Sequence, residues 1–511
     1  MTTEKLESWE AQVTAAGFRP ERLILLAICV AALWRVWDFF QLIPAYLRAP
    51  YQFDYEEGNI LNALLRITQG ATPYPDPHAL PNIINPYGPV AYYLLVLPVK
   101  IFGLAFLYPR AMILGCAIVI ALFLAIELRR ATHSFALAVT FGLIYLSIPN
   151  IQEWAWLLRA DLLGIAFTAA GLVAFSRQSD RERVRTMLPA LLFAAGLLVK
   201  PTLIAAPAAC FFALVARRRY RDAVSLAGVT VAVFGLVLAL FAAVTRGAVL
   251  LDIFLSHPDP FSLGVYAYGL THMLTASWPL MLLAAIAIAH DLTQRRFSPA
   301  ILWLVFATAT AITAGKLGSN QNHFLEWNTA LCLAAGLGLD RLISLHPRTL
   351  ALATTAIAIG ATTFVISTSR PPRNPENTDP ERGCPQAYAW VRTQAGDNLL
   401  TENVGALVLG NKKVWVSNPF VLAQLVEHSG WSDAELVRMV RERRFDAVLT
   451  KMDYAAVPAY LVEGTERFSP QLLRALAENY APEPMFQCKD MNIVYRPKAG
   501  VALQSPQVPS H

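Results

Sequence analysis

Residues 49–61 read APYQFDYEEGNIL and set three carboxylates, Asp54, Glu56 and Glu57, within four positions directly after a long apolar run. An ionised carboxylate held near a low-dielectric wall can take the proton of a hydroxyl, which is general-base chemistry. Asp54 and Glu57 stand at i and i+3, so on a helical turn they share one face. The same spacing suits a capping box on a helix beginning at Tyr55, and the two roles are compatible. The other unusual polar residues also sit at the ends of apolar runs: Arg159 and Asp161 in NIQEWAWLLRAD, Lys200 in LLVKPT, His257 in SHPDP, and Lys316, Asn322, His323 and Glu326 in GKLGSNQNHFLEWN. Cations so placed can stabilise a departing anion such as a phosphate. Plainer readings stand beside these: Asp161 suits a helix cap, Arg159 and Lys200 can snorkel to the interface, and His257 can be a solvated hydrogen-bonder.

The elements that must position these residues are membrane helices. The chain has 511 residues, 55% hydrophobic and 15% charged, with mean hydropathy +0.43, a balance that belongs to polytopic membrane proteins. The net charge of +6 comes from short basic clusters between apolar runs, so no nucleic-acid partner is expected. The first apolar run lacks a small-residue cleavage site and carries Arg35 and Asp38, an internal ion pair by spacing, so it reads as an uncleaved span.

A bilayer core of about 30 Å needs about 20 apolar residues per helix. On that ruler spans fall near 23–47, 109–128, 135–150, 161–176, 187–200, 202–216, 223–245, 266–290, 299–315, 328–345 and 349–368, about eleven in all. Lys5, Arg19, Arg22 and the clusters RR at 129, RQSDRERVR at 177, RRRYR at 217, QRR at 294 and DRLISLHPR at 340 then share one side, which the positive-inside rule makes cytoplasmic. The N-terminus is expected there, and the last 140 or so residues outside, in a periplasmic compartment. Residues 89–107, interrupted by Pro98 and Lys100, read as a helix in the outer interface. Pro201 cuts 187–216 into two short helices with Lys200 at the tip.

DYEEGNILNALLRITQGATPYPD, with NPYGPVAYYLL and FG followed by PR, closely resembles the first outer loop of bacterial GT-C superfamily glycosyltransferases. These are enzymes dependent on lipid phosphosugars, akin to aminoarabinose and protein mannosyl transferases. LLRADLLGIAF, LLVKPTLI and GKLGSNQNHFLEWN resemble later blocks in the same order, so the likeness covers roughly 20–350. It implies a GT-C helix bundle with its catalytic first outer loop at 48–108 in a bacterial inner membrane. The implied donor is a polyprenyl-phosphate sugar, and the acceptor a lipid, glycan or protein. The family's acidic pair lands on Asp54 and Glu57, with Asp54 as base; Glu56 stands where relatives often carry a small residue. Lys200, Lys316 and Arg159 are expected at the donor phosphate, and Asp161, Tyr55, Tyr87, His257, Asn322, His323 and Glu326 at substrate. Tyr74, Trp154 and Trp327 could also stack on sugar faces or form an interfacial belt. The acidic cluster could hold a divalent cation through oxygen ligands, and metal dependence stays open.

After 368 a Pro-rich polar linker, 369–383, leads to residues 384–511, which read as a small periplasmic α/β domain. Helices are expected at CPQAYAWVRTQ and at WSDAELVRMVRERR, the latter capped by Ser432, and strands at DNLLTE, KKVWVSN, FDAVLTK and MNIVYRPK. No nucleophile elbow or phosphate loop appears, so a binding or structural role is expected. Cys29, Cys116, Cys210 and Cys332 lie in apolar spans, whereas Cys384 and Cys488 lie outside, where a disulfide is allowed. A transporter or flippase would also carry many spans with charges, but it usually shows internal repeats and a midplane site; here polar residues gather at one mouth. A membrane scaffold would not need the acidic loop.

Overall fold

The computed structural model describes residues 20–178, 185–256, 258–316, 318–344, 382–454, 456 and 467–498. Four of its helices are long and apolar enough to cross a bilayer: Leu25–Arg48 within Pro20–Arg48, Leu107–Thr132, Tyr220–Val244 and Leu263–Thr293. Shorter apolar helices accompany them at Pro89–Phe102, Phe135–Ser147, Asp161–Ser176, Met187–Val199 and Ala205–Ala216. Another, Pro299–Thr310, continues as a 3-10 turn to Gly315. Each apolar run read as a span up to residue 345 is helical, as it must be where no water can satisfy the backbone. The run at 349–368 lies outside the described residues. Val224, Val231, Leu236 and Val244 are exposed along Tyr220–Val244, the face a lipid-embedded helix presents. Leu325–Ile343 is buried over most of its length, against Leu263–Thr293 and Pro299–Thr310. Over the described residues the chain is mainly helical, an integral membrane protein by its apolar helices, with a small sheet.

Arg35 lies 3.7 Å from Asp38 in the first helix, the expected pair. The two short helices around Pro201 part at Lys200 and choose different neighbours. Met187–Val199 packs on Asp161–Ser176, and Ala205–Ala216 on Pro299–Thr310, so Lys200 sits where the bundle opens. The loop at 48–108 is wedged against the same point. The Gly88 N–H donates to the Val199 carbonyl at 2.9 Å, and a Cβ on Gly88 would meet the Leu198 carbonyl oxygen at 2.0 Å. Only glycine allows that approach.

The sheet has strand order β1 (Leu399–Thr401), β2 (Ala447–Thr450), β4 (Ile493–Pro497), β3 (Tyr480–Pro484), with β1 and β2 parallel and the other pairs antiparallel. DNLLTE, FDAVLTK and MNIVYRPK thus supply strands. KKVWVSN does not join the sheet; it brackets Asn82 of the first outer loop, whose N–H donates to Trp415 O at 2.8 Å and whose carbonyl accepts from Ser417 N at 2.9 Å. The helix expected from Ser432 begins at Ala434 after Asp433, and Ser432 Oγ accepts only from Ala434 N, at 3.3 Å. Cys384 and Cys488 are joined in a disulfide, while Cys29, Cys116, Cys210 and Cys332 are free thiols.

This C-terminal segment is packed onto the outer loop. Gln52 N–H donates to the Tyr388 hydroxyl at 3.0 Å, and Gln52 Oε1 accepts from Gly405 N at 2.9 Å. Helices Tyr55–Thr68 and Val404–Leu409 meet through Gly58, whose Cβ would lie 2.3 Å from Gly405 N. Tyr388, Val404 and Leu407 bury in the same apolar core as Ile60 and Leu64.

Candidate active site

The helix Tyr55–Thr68 starts on a complete capping box: Asp54 Oδ1 accepts from Glu56 N at 3.0 Å, and Glu57 Oε2 accepts from Asp54 N at 3.4 Å. The two partners then diverge. Glu57 is fully buried and receives both Arg110 Nε and Nη2 at 2.8 Å, Leu158 N at 2.8 Å and Phe53 N at 2.7 Å. Arg110 is itself fully buried between the rings of Phe53 and Phe106 and donates to the carbonyls of Tyr46, Ala49 and Tyr51. Both Glu57 oxygens are occupied and sealed from solvent, so its geometry is that of a post holding the loop to the bundle.

Asp54 is less completely buried. Its Oδ1 also accepts from Arg159 Nη1 at 2.9 Å, and among the described residues no hydrogen bond reaches Oδ2. From there charges alternate: Arg159 Nε lies 3.9 Å from Asp161 Oδ2, and Asp161 Oδ1 accepts from Lys200 Nζ at 2.6 Å and from Asn322 Nδ2 at 3.0 Å. The Tyr87 hydroxyl reaches Asp161 Oδ2 at 3.5 Å. Arg159 Nε is buried without a hydrogen-bond partner, a costly state for a guanidinium N–H.

Of these groups Tyr87, Arg159, Lys200 and Asn322 border a cavity of about 510 Å³ at one mouth of the bundle. Arg159, Lys200 and Lys316 supply cations to its wall, Glu56 and Asp259 carboxylates, and Ile204, Ile253 and Phe254 an apolar side. Asp54 is one residue from the lining Tyr55 and is not itself on the wall. Glu56 is clamped by two amides, Asn59 Nδ2 at 2.9 Å and Asn418 Nδ2 at 3.0 Å. Burial first, then Glu56, pushes the Tyr55 hydroxyl up to about 12; burial likewise raises Tyr87 well above the usual phenol value. Both therefore serve as neutral hydrogen-bonding rings.

The structure thus brings together Asp54, Tyr55, Tyr87, Arg159, Asp161, Lys200, Lys316, Asn322 and His323, whose Nδ1 meets Thr313 Oγ1 at 2.9 Å. Glu326 lies one layer deeper, buried, accepting from Trp303 Nε1 at 2.9 Å. It shares a water-sized space of about 20 Å³ with Asp161, Lys200 and His323. His257 lies outside the described residues. Sequence reasoning quoted Arg110 only within the PR of the first loop and gave it no role; its further signal is a charge in the first turn of an apolar helix. It also passed over Arg467, which places its guanidinium 4.3 Å above the Tyr55 ring from the C-terminal segment. Among the described residues no three His, Cys, Asp or Glu side chains converge to hold a metal ion.

The helix bundle thus carries, at one mouth, a loop whose acidic helix cap faces a set of cations. The chain matches no protein-family model and no curated protein, and its likeness is to solved structures. It resembles ArnT from Cupriavidus metallidurans bound to undecaprenyl phosphate with TM-score 0.62 and 13% identity, over 95% of this chain and 99% of that one. The apo oligosaccharyltransferase of Archaeoglobus fulgidus gives TM-score 0.53 at 12% identity, over 90% and 73%. AglB from the same organism, in complex with an inhibitory peptide and a dolichol-phosphate, gives 0.51 at 12%, over 94% and 75%. At such identities the fold is what is shared.

Proposed function

We propose that this chain is an inverting glycosyltransferase that moves a sugar from a polyprenyl-phosphate donor to an acceptor on the extracytoplasmic face of a bacterial inner membrane. The observation that carries this reading is the buried Nε of Arg159, which makes no hydrogen bond among the described residues and lies 3.9 Å from Asp161, beside Lys200 on the cavity wall. An anionic phosphate oxygen entering there satisfies the orphaned donor and gains charge-assisted bonds from both cations. The apolar side of the cavity suits the start of a prenyl chain, and the neutral hydroxyls of Tyr55 and Tyr87 suit sugar or acceptor oxygens. Lys316, Asn322 and His323 complete the wall; Glu326 and Glu57 act from behind it as positioning residues.

In the reaction the acceptor oxygen attacks the anomeric carbon from the face opposite the phosphate, and its proton passes to Asp54 Oδ2. The carbon–oxygen bond to phosphate breaks with its electron pair leaving on the phosphate, whose charge Arg159 and Lys200 receive. Since Asp54 lies just behind the wall, closure of the donor against Arg159 frees its carboxylate for the acceptor. The topology that accompanies this reading has about eleven spans, the N-terminus in the cytoplasm and residues 384–511 in the periplasm. The Cys384–Cys488 disulfide fits that oxidising side. The test is to incubate the purified protein with a polyprenyl-phosphate pentose or hexose and a membrane acceptor extract. Release of polyprenyl phosphate with an anomerically inverted product is expected, and no release with any donor would overturn the proposal.

A further inference from the structure

Orienting charges need only lie on one side of a bilayer; nothing in that role requires them to meet. Here they meet. Arg130 at the end of Leu107–Thr132, Arg217 after Ala205–Ala216, Arg295 and Arg296 after Leu263–Thr293, and Arg341 in the last turn of Leu325–Ile343 line one cavity of about 460 Å³. Two carboxylates, Glu127 and Asp291, border it as well. Asp340 lies 3.7 Å from Arg341 behind the wall, so five guanidiniums against three carboxylates leave an excess of two positive charges.

We propose that this cavity binds the phosphate head group of an anionic lipid, in the leaflet opposite the transfer site. Position follows from helix geometry: Arg110 and Arg130 are twenty residues apart on one helix, about 30 Å at 1.5 Å per residue, which spans a bilayer core. The two carboxylates build the site. Glu127 holds Arg130 at 2.6 Å. Asp291 accepts Ser298 N at 3.2 Å on its side chain and Arg296 N at 2.8 Å on its carbonyl, fixing the loop that carries Arg295 and Arg296. Planar guanidiniums from four chain segments match the tetrahedral oxygens of a phosphate. An amphiphile is selected because the inner wall is apolar, formed by Ala287, Ala300, Ile301 and Leu337. Leu292 and Phe297, 66% and 50% exposed, flank the arginine loop where acyl chains begin. This cavity is separate from the one that Arg159 and Lys200 line, and lipid binding in it requires no sugar transfer.

The test uses the full chain in detergent, exchanged into micelles containing phosphatidylglycerol or phosphatidylcholine, and native mass spectrometry of retained lipid. Wild type is expected to retain phosphatidylglycerol in preference to phosphatidylcholine. Arg217→Gln/Arg295→Gln/Arg296→Gln is expected to bind it about a hundredfold more weakly, at about fivefold per cation. All three side chains are exposed, and an unchanged unfolding temperature of the triple variant in lipid-free detergent confirms its fold. A single Arg296→Glu variant should lose the preference too. Equal retention of both lipids by wild type, or undiminished phosphatidylglycerol binding by both variants, would overturn the proposal. Displacement of the lipid by millimolar inorganic pyrophosphate would assign the cavity to a soluble phosphate instead and overturn the lipid source.

Discussion

Glu57→Gln separates a structural from a chemical role for the acidic pair. The side chain keeps its shape but loses its charge, leaving the Arg110 guanidinium buried with no counter-charge. Breaking a fully buried ion pair from one side costs about 3–5 kcal/mol. One of the backbone donors, Phe53 N or Leu158 N, also loses its acceptor, since Gln offers one oxygen for the five bonds Glu57 now receives. Against a total stability of about 5–15 kcal/mol, that is a large fraction. Thermal unfolding of the purified protein in detergent should show a marked fall, with reduced yield in the membrane. Arg110→Met should fall at least as far, because it also strands the carbonyls of Tyr46, Ala49 and Tyr51. The double variant should be less destabilised than the sum of the two. A Glu57→Gln protein that unfolds at the wild-type temperature yet has lost all transfer would refute the reasoning and place Glu57 at the substrate.

Lys200→Met removes a cavity cation while Asp161 keeps Asn322 and Arg159, so the fold should hold while donor turnover falls by about 10²–10³; unaltered turnover would remove Lys200 from the phosphate site. Glu402, outside the membrane segments, is pushed up from 4.5 to about 7, by burial first and then by Asp490. A raised folded-state pKa means its stabilisation is complete below 4.5 and lost as pH rises through about 7. Glu402→Gln, which mimics the protonated form, should therefore match wild type in stability near pH 4.5 and exceed it by about 3 kcal/mol at pH 8, as read by thermal melts across that range. Alkylation followed by intact mass should label neither Cys384 nor Cys488 until reductant is added, and replacing both with Ser should cost about 2–5 kcal/mol.

The helices were legible because each apolar run must satisfy its own backbone in lipid, and their ends were marked by the charges that meet water. The capping box was legible as a spacing, since Asp54 and Glu57 are local to one turn. What Glu57 touches was not: its partners Arg110 and Leu158 are 53 and 101 residues away, and no periodicity encodes such a pairing. The same reason hid the reach of Arg467 to Tyr55. Among strands, the alternation in KKVWVSN is genuine but its ladder partner is a single residue of the outer loop, Asn82. β3 went unread because Tyr480–Pro484 contains two prolines, which an edge strand tolerates and a central one does not. The basic clusters showed as orienting charges, and their convergence on one cavity appears only once the helix ends are placed side by side.

Lipid mass spectrometry on host cells lacking the protein, complemented with wild type or with Asp54→Asn, tests the central claim most directly. One polyprenyl-phosphate sugar should accumulate in the deletion and in the Asp54→Asn strain and return to a low level with wild type, with the variant present in the membrane at wild-type abundance. If no lipid-linked sugar changes, or if Asp54→Asn restores the wild-type pattern, transfer with Asp54 as base is contradicted.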